Sequence, residues 1–529
     1  MPYNKRLIGK GKRKALSGML TLLLIGMVML VSRTQLARTS GTIYIRADGA
    51  VDPPTAPIFT PDNASYIFMS DINEPIVVER DNILIDGAGY SLLGQGLGAG
   101  INLTRRANVT VRNLKIKNFE YGLFLEYSSN ISIIRNYIIN NDYGIYLGFS
   151  SSNNSIIRNV FVNNGLYVYC SYRNVVKDNM VNGRPLVYLV GISDFAVRDA
   201  GQVILIRCKR IKVENLNLSH ATVGVELWET HNSTIAGNNV ANNVLGIYLY
   251  DSANNTISGN YVTNCSYGIY IIPRMFSGNA VTGNYVTNCS YGVILFSSYS
   301  NIVYGNSLNN NSVGVLLLAI YGSPSNIIYH NNFLNNAVQA RSDDASAIWD
   351  NGYPSGGNYW SDYHSFDLRS GPHQNETGSD GIGDMPYIID SNNRDRYPLM
   401  NPWIIHNIAI TSLTVSKSSP KVNETVGIYV TVQNRGYVNE TFAIFINYTG
   451  VEGGLIANQT LTLAPIESRT LSFIWTPTKC GVYEIKAYTS PIPNDINPED
   501  NTKTTRVAVV IQGLGGEAFK KYFSTSKLC

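Results

Sequence analysis

The sequence predicts an all-β protein, a parallel β-helix of eleven or twelve coils followed by an immunoglobulin-like β-sandwich. Three observations predict it. Gly-Asn recurs at Gly237, Gly259, Gly283 and Gly305, so a unit of about 22 residues repeats. The units contain short β-branched and aromatic runs, with no helix-length apolar pattern between them. After Pro402 the repeat gives way to about seven longer period-two strands within roughly a hundred residues.

Residues 1–38 read as a targeting segment. They hold eight Lys and Arg and no acid, and an apolar run spans residues 15–31. Such a stretch is a secretory signal or an uncleaved signal-anchor, which would tether the chain to a membrane. Taking those eight from 41 basic residues leaves 33 against 37 acidic ones. The body is therefore mildly acidic, which argues against a nucleic-acid partner. Sixteen Asn-x-Ser/Thr sequons, among them Asn63, Asn130, Asn264, Asn288, Asn423 and Asn447, agree with an exported, glycosylated protein.

Residues 39–340 carry the repeat. A second mark, Gly followed by alternating apolar residues, recurs at Gly224, Gly246, Gly268, Gly292 and Gly314. Runs such as Gly-Ile-Tyr-Leu read as short strands, and Asn-Asn or Asn-Gly pairs between them as turns. Stacked coils lie ~4.8 Å apart, so Ile76–Ala340 gives a rod ~55 Å long. Asn136, Asn159, Asn238, Asn260, Asn284, Asn306 and Asn331 then form one ladder of amides. The decapeptide GNYVTNCSYG, present at 259–268 and again at 283–292, is one coil written twice. Its Cys265 and Cys289 fall where Asn141, Asn243 and Asn311 fall elsewhere. One coil spacing lies within the ~4.4–6.8 Å range of disulfides, so an exported chain is expected to bridge them.

Residues 341–403 read as the closing segment, with Trp349, Tyr359 and Trp360 plugging the end of the helix. Residues 404–511 form the sandwich, with Trp475 in its core. The tail, 512–529, fits neither module.

Several stretches carry a family resemblance. Ile43–Ile58 and Pro75–Gly94, with GGNYWSDY, DGIGDMPYIID and DRYPLM in the closing segment, resemble NosD-like right-handed β-helix surface proteins of archaea. The likeness spans roughly residues 40–403. The Asn-Arg-Gly turn at 434–436, Phe473-x-Trp475 and Glu499–Asn501 resemble the CARDB module, a cell-adhesion-related domain. The resemblance implies the fold far more specifically than any activity.

If the first and third residues after each Gly point inward, as Ile247 and Leu249 would, the second and fourth point outward. These outward positions include Tyr146, Trp228, Tyr248, Tyr250, Tyr270 and Phe296, an aromatic face suited to stacking on sugar rings. Extracellular glycans or cell-surface proteins are accordingly the expected partners of a secreted or surface-attached, non-catalytic, adhesive protein. The alternative is a polysaccharide lyase, hydrolase or epimerase, with Glu226, Glu229 and Asp251 as the acids. In the closing segment Asp380, Asp384 and Asp390 are candidate ligands for Ca²⁺, the one cofactor considered. The NosD resemblance also implies a role in copper-enzyme maturation. Soft copper sites gather Cys, Met and His, yet six His, nine Met and six Cys are scattered here without ligand spacing.

Overall fold

The computed structural model describes residues 41–511 except 172, 274–276, 320–324, 344, 405, 437, 466, 494 and 496–497. The targeting segment, the tether at 15–31 and the tail lie outside the described residues. Two compact units divide at residues 401 and 402. The first holds about twelve coils, as the repeat predicts.

Each coil contributes a short strand to each of three faces. Strands of the same face pair in parallel and in register, for example Ile247↔Ile269 and Leu249↔Ile271. Columns of like apolar residues fill the interior: Val225, Ile247, Ile269, Val293 and Val315 on one face, and Ile235, Ile257, Val281 and Val303 on the next. All are fully buried. The recurrent Gly marks a close approach of coils. A Cβ at Gly246 would stand 2.4 Å from the Gly268 carbonyl oxygen.

The asparagine ladder forms with one break the repeat did not show. Asn136, Asn159 and Asn179 make one run, and Asn238, Asn260, Asn284, Asn306, Asn331 and Asn358 make a longer one. At each step one carboxamide oxygen accepts both the backbone and side-chain N–H of the preceding Asn. Asn284 accepts from Asn260 at 3.0 and 2.9 Å, while its own amide donates to the Ile257 carbonyl at 2.8 Å. Turn polar groups are thereby satisfied inside a dry wall. Parallel ladders such as Asn255–Asn279–Asn301–Asn326 do the same at another turn.

Cys265 and Cys289 stand in an Asn column, as expected, but both are free thiols. The predicted disulfide is corrected. Each sulfur takes over an amide's task and turns onto a carbonyl: Cys265 Sγ onto Thr263 at 3.5 Å, Cys289 Sγ onto Thr287 at 3.4 Å. The hydrogen bond with Cys289 and burial hold the Cys265 thiol high, so it stays protonated.

The uninterrupted rod is also corrected. At Asn182-Gly183 the chain reverses, and Arg184–Val190 pairs antiparallel with Met180–Val181. The third face of the first segment thereby continues into the first face of the second as one 13-stranded sheet. At the far end Phe333, Trp360 and Tyr387 stack at centroid distances of 4.1 Å, with Trp349 beside them, so Trp349 and Trp360 close the core as expected while Tyr387 stands where Tyr359 was expected. The ladder ends on buried Asp395, which accepts from Asn358 N at 2.6 Å and Trp360 Nε1 at 2.9 Å.

The second unit pairs a three-stranded sheet (Ile408–Val415, Val426–Asn434, Ser468–Trp475) with a four-stranded one (Glu440–Thr449, Gly454–Leu463, Gly481–Thr489, Thr502–Val509). Trp475 packs on Tyr448 and Tyr483 in the core.

Replacing Asn284 by Ala strands the Asn260 N–H groups and the Ile257 carbonyl. The substitution is expected to cost at least ~2 kcal/mol, read as a lowered urea midpoint. A loss below ~0.5 kcal/mol would show that the ladder is not a structural support.

Candidate functional site

The outward positions after each Gly align as expected. Phe124, Tyr146 and Tyr167 are in register on the first segment. On the second, Ile204, Glu226, Tyr248, Tyr270, Ile294 and Leu316 form one row, and Ile206, Trp228, Tyr250 and Ile272 the next.

The chain reversal determines what these rows face. The last strand of the first segment's first face, Leu166–Val168, has no following coil to pair with. Its open edge meets side chains of the second segment instead. Gly165 N donates to Thr222 Oγ1 at 2.9 Å, Leu166 N to Gln202 Oε1 at 3.0 Å and Val168 N to Glu226 Oε2 at 3.4 Å. Thr222 Oγ1 in turn donates to the Asp142 carbonyl at 2.9 Å. Aromatic rings close the joint: Tyr167 lies 6.1 Å from Tyr248, and Tyr169 lies 5.7 Å from Trp228. An edge that would otherwise recruit another chain is covered.

An open aromatic face was expected, and two of its six residues are therefore interior. Trp228 is 0% exposed and Tyr248 2%. Tyr146, Tyr250, Tyr270 and Phe296 are half-buried and remain reachable. Tyr146 stacks on Phe124 at 4.8 Å with planes 13° apart, and Tyr270 lies 5.6 Å from Tyr248 and 5.7 Å from Tyr267. The two rows meet at the joint through Tyr167 and Tyr169, and Tyr169 also lies 6.2 Å from Tyr250. Burial pushes the Tyr143, Tyr146 and Tyr270 phenols well above their ordinary range, so each presents an O–H.

The candidate acids do not converge. Glu226 is fully buried in the joint, where its Oε1 accepts the Trp228 indole N–H. Burial, partly offset by that bond, pushes its carboxyl up to about 8. Glu229 occupies a left-handed turn one strand end away and pairs with Arg207 at 2.7 Å. Asp251 takes the equivalent turn of the next coil. The pairing of Glu226 with Glu229 as an acid couple is corrected, because Glu226 has no path to a substrate.

The Asp cluster is corrected likewise. Asp384 accepts the N–H groups of Leu368 and Arg369, Asp390 those of Asn392 and Asn393, and Asp380 that of Ile382. Each carboxylate holds loop backbone. Among the described residues no group of three or more His, Cys, Asp or Glu is placed to hold a metal ion.

Reasoning from the repeat missed Gln202, Thr222, Tyr167 and Tyr169. One signal could have found them: Asn182-Gly183 between two apolar runs is the strongest short hairpin signature, and it falls where the Gly-Asn repeat lapses.

Two family models match the chain. One described as "Right handed beta helix region" matches residues 76–197, and one described as "Periplasmic copper-binding protein (NosD)" matches residues 189–365. They meet just beyond the reversal, one on each segment. No curated protein matches. Among solved structures, the crystal structure of the CARDB domain of the PF1109 protein from Pyrococcus furiosus, in complex with di-metal ions, is 25% identical. That likeness covers 20% of this chain and 96% of that one, with a TM-score of 0.18. A solution structure of the same domain is 26% identical over 20% and 98%, also at 0.18. A β-glucosidase from Erythrobacter marinus is 15% identical over 23% and 18%, at 0.17.

The raised carboxyl has a signed consequence. Glu226 goes from 4.5, its ordinary value, to about 8 on folding, so the fold binds its proton more tightly. That contribution is complete below 4.5 and is lost as pH rises through about 8. Asp395, pushed to about 7 by burial, acts in the same sense at lower pH. Between pH 7 and 8 stability should fall with a slope approaching ~1.4 kcal/mol per unit, and Glu226→Gln should flatten it. Urea midpoints across this range measure both slopes, and equal slopes would place Glu226 in solvent.

Proposed function

We propose that this is an extracytoplasmic β-helix surface protein that binds carbohydrate on the half-buried aromatic rings beside the joint, without catalysing a reaction on it. The half-buried Phe124–Tyr146 stack, with Tyr250 and Tyr270 half-buried on the other side of the joint, carries this reading. Flat rings repeating at the coil spacing suit the apolar faces of successive sugars, and the phenol O–H groups suit their hydroxyls. The periplasmic description of the matching NosD model supports a location outside the cytoplasm. A polymer with cell-surface glycan character is the partner these rings fit best.

The copper role attached to that model finds no support in the donor set. The buried Cys265 and Cys289 sulfurs point along the wall onto carbonyls, and no cluster of ligating side chains gathers around them among the described residues.

A glycan array probed with the full chain tests the reading. Polysaccharide retention is expected, and Tyr146→Leu with Tyr270→Leu should weaken it at least tenfold while the melting temperature changes little. Leu preserves apolar volume but removes the ring faces. Binding that survives this pair of substitutions, or no binding to any glycan, would overturn it.

A further inference from the structure

Eight of the sixteen sequons share one backbone geometry. They stack in three columns: Asn108, Asn130 and Asn153; Asn232 and Asn254; Asn264, Asn288 and Asn310. Each has φ between 53° and 59° and is exposed. In six of the eight (Asn108, Asn130, Asn232, Asn264, Asn288 and Asn310) the Asn N–H bonds to the residue just before its counterpart on the next coil, as Asn130 N does to Ser152 O and Asn264 N to Thr287 O. The side chains thus leave the same turn of successive coils toward solvent.

The turn alone does not demand this pattern. At a third turn the same left-handed position is filled by Asn113, Arg135, Arg158, Asp178, Gly237 and Gly259, and none of these begins a sequon. Left-handed geometry is thus met there without an Asn followed two residues later by Ser or Thr. In the sequon columns the hydroxyl residue is also within reach of solvent: Ser266, Ser290 and Ser312 are exposed, and Thr110, Ser132 and Thr256 half-buried.

We propose that these three columns are N-glycosylation sites, with a lipid-phosphate-linked oligosaccharide as donor, and that neighbouring coils are not glycosylated together. The inference rests on the extracytoplasmic reading above. In the transfer, Asn Nδ2 attacks the anomeric carbon. The N–C bond forms, the C–O bond to phosphate breaks, one amide proton leaves to a base and the lipid phosphate departs. The product keeps one N–H, so a column bond such as Asn310 Nδ2 to Asn288 Oδ1, 2.6 Å, can persist. Coils are ~4.8 Å apart, less than the breadth of a hydrated sugar ring, which sets the limit on adjacent occupancy. Two sequons serve as internal contrasts. Asn102 is half-buried and holds Thr104 N, and Asn447 is half-buried with its amide on Tyr488 Oη.

Glycopeptide mapping of the protein isolated from the cells that make it tests this. Occupancy at the column asparagines should exceed that at Asn102 and Asn447 at least tenfold, and peptides modified on two adjacent coils should be rare. Ser266→Ala, Ser290→Ala and Ser312→Ala together should abolish modification of Asn264, Asn288 and Asn310 and leave the melting temperature unchanged. Bare columns in protein recovered outside the cytoplasm would overturn this inference alone. Bare columns in protein retained in the cytoplasm would overturn it together with the extracytoplasmic reading. Glycan on Asn102 or Asn447 in preference to the columns would also overturn it.

Discussion

Each coil of this β-helix makes hydrogen bonds that only the neighbouring coils can complete. Strand N–H and C=O groups pair along the axis, and buried carboxamides run beside them, each Asn accepting from the one before and donating to carbonyls of the wall. A buried polar group without its partner costs ~1–3 kcal/mol. Such a stack is stable only if every interruption is sealed. The position of each chemically interesting side chain follows from how that is done.

Two such places set the positions of the candidate residues. At the far end Asp395 receives the last ladder amide, and three aromatic rings cover the core. At the reversal, Gln202, Thr222 and Glu226 receive the N–H groups of an edge strand, and Tyr167, Tyr169, Tyr248 and Trp228 pack over it. Both seals use a carboxyl that burial pushes up. The acid that looked most catalytic, Glu226, is therefore part of the joint. Of the rings that looked like one binding face, Trp228 and Tyr248 are covered and build the joint, while Tyr146, Tyr250, Tyr270 and Phe296 stay half-buried beside it.

Much of this was legible in the residues. Period, Gly spacing and period-two runs placed Ile247 and Leu249 inward and Tyr248 and Tyr270 in one outward row, because coil register repeats the local pattern. The Asn column followed from the same arithmetic. A periodic argument, however, assigns each coil the surroundings of its neighbours, so it cannot see a reversal. It left Trp228 and Tyr248 in solvent, and it read two aligned cysteines as a bridge when both serve as stand-ins for amides. The acid cluster at Asp380, Asp384 and Asp390 failed for a different reason. Closeness along the chain does not make carboxylates converge, and each one was already needed by its own loop.

Backbone hydrogen exchange across residues 163–170 of the full chain measures the joint most directly. If the Leu166–Val168 edge is held by Gln202, Thr222 and Glu226, its amides exchange as slowly as those of the interior strand Tyr143–Gly148. Exchange at the rate of an open sheet edge would contradict the account. It would mean that the second segment does not cover the first and that the aromatic face is exposed along its whole length.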